Sequence, residues 1–111
     1  MKTLQAIAYA RSGDKGSSAN VAVFGRTAAD YAWLKEHLTA RHVETWFKPL
    51  GLGPVIRYDV ANLEALNFVL PGVLAGGGST SLRIDAQGKT LGQALLAMPV
   101  DFAADPVHPI D

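Results

Sequence analysis

The sequence contains no cysteine. Disulfide staples, thiolate nucleophiles and cysteinyl metal sites are excluded, and the composition suits a reducing compartment. Charge of one sign is missing too, because ten Lys and Arg balance ten Asp and Glu. Nucleic-acid binding draws its affinity from clustered basic residues, and adhesion to an anionic membrane draws on the same source, so neither partner is expected. No apolar run approaches the ~20 residues of a spanning helix. The opening MKTLQAIAYA ends in Ala8-Tyr9-Ala10, which looks like a leader cleavage site. Its apolar part is short and holds Gln5, so it reads as mature chain, and a cytoplasmic protein is the expectation. Nucleotide-binding glycine patterns are also lacking. The run from Gly76 to Ser81 has no P-loop lysine and leads toward a strand, and there is no G-x-G-x-x-G.

What is present suits a single domain. The 111 residues are 49% hydrophobic and 18% charged, a globular balance for one core and not two. Residues 2–10 alternate and read as a strand. Residues 19–24, valine-rich and apolar except for Asn20, read as a buried strand. Thr27-Ala-Ala-Asp30 has the form of a capping box, opening a helix with Tyr31, Leu34 and Leu38 on one face. Thr39 caps a second helix with Val43, Trp46, Phe47 and Leu50 as its apolar stripe, and Pro49 and the following glycines stop it. Residues 55–60 alternate and read as a third strand. Asn62 reads as the cap of a short buried helix holding Leu63, Leu66 and Leu70, ended by Pro71-Gly72. A glycine-rich loop, a fourth strand at 82–84 and a turn at 85–88 follow. Thr90 then caps a helix carrying Leu91, Ala94, Leu95 and Met98. From Pro99 the chain reads as an extended tail, with a short strand at 100–102. These elements make an α+β two-layer sandwich of four or five mostly antiparallel strands with helices on one face, occupying residues 1–98 and followed by a tail at 99–111.

The stretch ARSGDKGSSANVAVFGR, residues 10–26, holds more chemistry than a connection needs. If SGDKGSS is a loop, its successive N–H groups form an anion nest, with Arg11 and Lys15 adding positive charge. The plain alternative is that Gly13 and Gly16 supply turn geometry and Asp14 an Asx turn. Asn67, read inside an apolar helix, must satisfy its amide, because an unpaired buried amide costs about 1–3 kcal/mol. Its partner is expected to be neighbouring backbone rather than a ligand. Arg83 and Asp85 alternate with Leu82 and Ile84 and share a polar face. His37 and His42, five apart, would be turned about 140° from each other on one helix, so no metal site is expected. No cofactor is implied.

Together, ARSGDKGSSANVAVFGR, YAWLKEHLTARHVETWF, NLEALNFVLPGVLAGGGSTSLRIDAQGK and LGQALLAM resemble the C-terminal domain of the acyclic terpene utilisation (AtuA-like) proteins, over residues 4–98. The resemblance implies a ferredoxin-like fold. It also implies a place in the catabolism of branched acyclic terpenoids or related acyl-CoA compounds. In that family the domain usually follows a much larger N-terminal domain, so a stand-alone domain is expected to act as an accessory or ligand-binding subunit of a separately encoded large AtuA-like protein, and to form homo-oligomers. The resemblance carries over positions rather than roles: Arg11, Ser12, Asp14, Lys15 and Asn20, then Asn62 and Asn67, then Ser81, Arg83, Asp85 and Lys89. With the local glycines, the ligand-binding set becomes Arg11, Ser12, Gly13, Asp14, Lys15, Gly16, Asn20, Asn67, Gly76, Gly77, Gly78, Ser81 and Arg83, facing an acyl-CoA or carboxylate. Two other readings stand beside this one. In the first, the chain is a small acyl-CoA lyase or hydratase with Asp14 as base and Lys15, Arg11 or Arg83 stabilising the anion. In the second, it is a purely structural oligomerisation domain, which a large apolar patch on the open sheet face with dispersed polar loops would favour.

Overall fold

The computed structural model describes residues 2–73 and 89–100. Four strands form one sheet: β1 (Ala8–Lys15), β2 (Ser18–Gly25), β3 (Ile56–Val60) and β4 (Ala65–Leu70). Their order is β1-β2-β4-β3, and every neighbouring pair is antiparallel. Among the described residues, the helices α1 (Ala28–His37) and α2 (Ala40–Trp46) connect β2 to β3, and α3 (Lys89–Leu96) comes after β4. β2 and β3 run parallel with β4 between them, so β2, the α1–α2 pair and β3 form a split βαβ unit. The order ββ-αα-ββ-α is the ferredoxin-like β-α-β-β-α-β with its last strand placed first.

The central strands are apolar on the face that the helices cover. Val21, Val23, Leu66, Phe68 and Leu70 are fully buried beneath the helices, where they meet Leu34, Leu38, Val43 and Leu95. The caps of α1 and α2 form as the sequence predicts. Thr27 Oγ1 accepts the Asp30 N–H at 3.0 Å, and Thr39 Oγ1 accepts the His42 N–H at 3.2 Å. Tyr31, Leu34 and Leu38 are buried. The C-terminal end of α1 is tied to the sheet edge, where Arg57 donates to the Leu38 carbonyl at 2.8 Å while paired with Asp59 at 2.8 Å.

Four expectations change. First, residues 4–6 form a 3-10 turn and the first strand begins at Ala8. Leu4 is fully buried, and its N–H is used by the Met98 carbonyl rather than by a neighbouring strand. Second, that strand runs on through Ser-Gly-Asp-Lys to Lys15 and leaves only Gly16 and Ser17 as the turn. Gly16 takes φ 63°, as the first turn position of a Gly-X hairpin requires. Pairing with the apolar β2 overrides the poor strand propensity of Gly and Asp. Third, residues 65–70 are a strand, and the 3-10 turn over Ala61–Leu63 has no side-chain cap from Asn62. A short apolar run does not separate buried helix from central strand by period alone; Leu66, Phe68 and Leu70 alternate with Asn67 and Val69, and the β period is the one realised. Fourth, α3 starts at Lys89, which places Thr90 in its first turn. The strand expected at 82–84 and the turn at 85–88 lie outside the described residues. The tail from Pro99 begins by pairing with the N-terminal segment, through a Thr3–Pro99 bridge and a 3.1 Å bond from Val100 N–H to the Lys2 carbonyl.

Gly25 ends β2 where α1 crosses. A Cβ there would lie 2.5 Å from the Tyr31 nitrogen, a backbone atom that cannot turn aside. Gly25→Ala should therefore destabilise the domain by about 1–3 kcal/mol, read as a lowered urea midpoint at unchanged slope.

Candidate functional site

The register gives the sheet two unlike faces. On the open face, directly paired residues form three transverse rows. One row runs Tyr9, Phe24, Ala65, Val60; the next Arg11, Ala22, Asn67, Tyr58; the third Gly13, Asn20, Val69, Ile56. This face carries exposed apolar surface: Tyr9 is 47%, Ile56 45% and Tyr58 54% exposed. Tyr9 and Phe24 stack with ring centroids 5.0 Å apart and planes 6° from parallel, which fixes both rings as a rigid ridge. Near the middle, Asn20 Nδ2 donates to Asn67 Oδ1 at 3.1 Å. Both are half-buried and diagonal across the β2–β4 pair. A β-carbon on Gly13 would meet Asn20 Oδ1 at 3.4 Å, so the glycine leaves room for the amide to lie across the sheet. Ser18, Ala19 and Val69 complete a shallow recess of about 390 Å³ around this pair.

The expected ligand set is divided by this geometry. Arg11, Gly13, Asn20 and Asn67 share the open face. Ser12 and Asp14 alternate to the helical side. Ser12 Oγ accepts the Gly92 N–H, in the first turn of α3, at 3.3 Å. It thus anchors a helix, and Gly92 allows the approach, with Ser12 Oγ and Ala10 Cβ 3.3 and 3.4 Å from where its side chain would begin. Asp14 is exposed. Lys15 is the last residue of β1, and Gly16 the first of the turn. Because the SGDK backbone is engaged in strand pairing, it forms no anion nest. Asn67 is satisfied by a side chain, not by backbone as expected. Gly76, Gly77, Gly78, Ser81 and Arg83, with Asp85, lie outside the described residues.

The sequence reading missed the apolar half of this face. Ile56, Tyr58 and Val60 alternate with Arg57 and Asp59, a pattern that ordinarily marks Ile, Tyr and Val as core. Here the polar pair turns toward the helix side at the sheet edge, where Arg57 meets the end of α1, and the apolar set faces outward. Trp46, expected in the buried stripe of its helix, is also exposed.

The chain matches the model of the AtuA ferredoxin-like domain over residues 2–101. It belongs to that family. No curated protein and no solved structure matches it. In this AtuA ferredoxin-like domain, no described helix is long and apolar enough to cross a membrane. Among the described residues no three His, Asp or Glu side chains gather closely enough to hold a metal ion. His37 and His42 lie on separate helices, not on one as the spacing argument assumed. His37 packs against Trp33 with ring centroids 4.9 Å apart. His42 Nδ1 lies 2.9 Å from Thr39 Oγ1. The same hydroxyl accepts the His42 N–H, so the histidine is held to the cap at both its main chain and its ring. Burial pushes the His42 pKa down; a main-chain hydrogen bond with His37 opposes this, and the His37 imidazole adds to it.

Two expected outcomes follow from these contacts. Asn67→Ala and Asn20→Ala should each lose about 1 kcal/mol, and a double-mutant cycle should return a coupling of similar size. For His42, the unfolded chain binds the proton more tightly than the folded one. Its contribution is complete above the ordinary histidine range and is lost as pH falls through that range. The melting temperature should fall between about pH 7.5 and about pH 5.5, and His42→Gln should flatten that slope.

Proposed function

We propose that this AtuA ferredoxin-like domain is an accessory docking module, which seats its open sheet face against a separately encoded large AtuA-like protein in the catabolism of acyclic terpenoids or related acyl-CoA compounds. The observation that carries the reading is the face itself. A two-layer domain ordinarily leaves a polar face to water. This one presents Tyr9, Ile56 and Tyr58, all exposed, around a hydrogen-bonded amide pair. Apolar anchors enclosing a few directed polar groups are the make-up of a protein interface core. Arg11, at the β1 edge of the middle row and exposed, supplies a rim charge. The family supports the choice of occupant, since this domain accompanies a much larger one in the AtuA-like proteins it resembles.

The division of the polar residues weighs against the enzymatic alternative. A base at Asp14 and a cation at Arg11 would sit on opposite faces of one sheet, without a common substrate position. The amide pair retains hydrogen-bonding capacity, because each carboxamide offers more donors and acceptors than the single bond between them uses. A partner's backbone or side chains can take up that remainder.

The test is calorimetric titration of the full chain with a separately encoded large AtuA-like protein. Saturable binding is expected, and Tyr58→Arg should weaken it at least tenfold while the urea midpoint stays unchanged, since Tyr58 is exposed in the free domain. Absence of binding, or equal binding by the variant, overturns the reading. Light scattering showing a dimer that Tyr58→Arg dissociates would assign the face to a second copy instead.

A further inference from the structure

A second built surface lies on the helical side, away from the open face. α2 separates two adjoining recesses. One, of about 520 Å³, lies between α2 and the segment after α3 and is walled by Trp46, Pro49 and Met98. The other, of about 310 Å³, carries Lys48 and Glu44. Arg41 and Thr45 line both. They are four residues apart, so they stand together on one face of the helix as the ridge between an apolar chamber and a charged one.

We infer that this double recess binds a small amphipathic carboxylate, with the apolar body in the Trp46 chamber and the carboxylate held by Arg41. Three observations carry the assignment. The volume of the apolar chamber falls in the range of small-molecule sites, roughly 300–1,000 Å³. Its aromatic wall is fixed in place: Trp46 Nε1 donates to the Ala94 carbonyl at 2.9 Å, so the indole is held at its polar end while its ring stays 38% exposed. An aromatic ring locked in that way loses little freedom when a ligand covers it. The charge at the ridge is available as well. Arg41 is exposed and has no ion-pair partner among the described residues. The nearby Glu44 turns an oxygen to the Val55 N–H at 2.9 Å. A guanidinium matches a carboxylate through two parallel N–H···O bonds, and Thr45 adds a hydroxyl on the same helix face. A purely apolar ligand would leave the ridge unused, and a purely ionic one would leave the indole uncovered. An aliphatic acid meets both halves.

The test uses the full chain, labelled with nitrogen-15, and octanoate as the probe. The Trp46 indole N–H resonance, assigned with a Trp46→Phe variant, should shift and saturate below about 5 mM octanoate. Octanamide, the same body without charge, should bind at least about tenfold more weakly, and Arg41→Ala should weaken octanoate by a similar factor. Tyr58→Arg, on the opposite face of the sheet, should leave the titration unchanged, which separates this site from the docking face. No saturable shift at Trp46, equal binding of octanamide, or indifference to Arg41→Ala overturns the inference. Shifts confined to the open sheet face overturn it equally.

Discussion

The antiparallel pairing of β2 with β4 is the constraint on which the rest of this domain depends. Each strand belongs to its own hairpin, and the register from Ala19–Leu70 to Phe24–Ala65 is the seam that makes the two hairpins one sheet. Along it, Val21 opposes Phe68 and Val23 opposes Leu66, all four fully buried. A slip of one residue would send this set to the open face and bring Asn20 and Asn67 inward, where two carboxamides would have to be satisfied within an apolar layer. The strong preference for one register thus fixes both the core and the surface opposite it.

The same seam explains why the candidate site divides as it does. Residues that are neighbours in RSGDK become members of opposite layers once the stretch is a strand. Ser12 holds α3, while Arg11 and Gly13 join the amide pair. The apolar face and the α2 recess are separated by the sheet, so a protein partner on one and a small acid on the other could be accommodated without competition.

α1 and α2 were legible in the sequence to their caps, because Thr27 and Thr39 act locally, through hydrogen bonds to residues three positions ahead. The valine-rich β2 was legible because its helix-facing residues, Ala19, Val21 and Val23, are all apolar and buried. β4 was not. ALNFVL supports either a buried helix or a central strand in isolation, and only pairing with β2, more than forty residues earlier, decides between them. Lengthening of β1 through Ser-Gly-Asp-Lys has the same non-local cause. Asn20 and Asn67 could be picked out as polar residues in apolar surroundings, but their partnership depends on that register. The outward-facing Ile56 and Tyr58 were hidden because the Arg57–Asp59 pair reverses the usual sense of alternation.

The clasp between residues 2–4 and 98–100 carries a topological implication. The Leu4 N–H meets the Met98 carbonyl, and the Val100 N–H meets the Lys2 carbonyl, so the two segments run side by side in opposite directions. Sealing the chain across that point and cutting it at Gly16–Ser17 would give β-αα-β-β-α-β with the sheet unaltered. The two connectivities of this architecture are therefore one spatial arrangement with different places of entry.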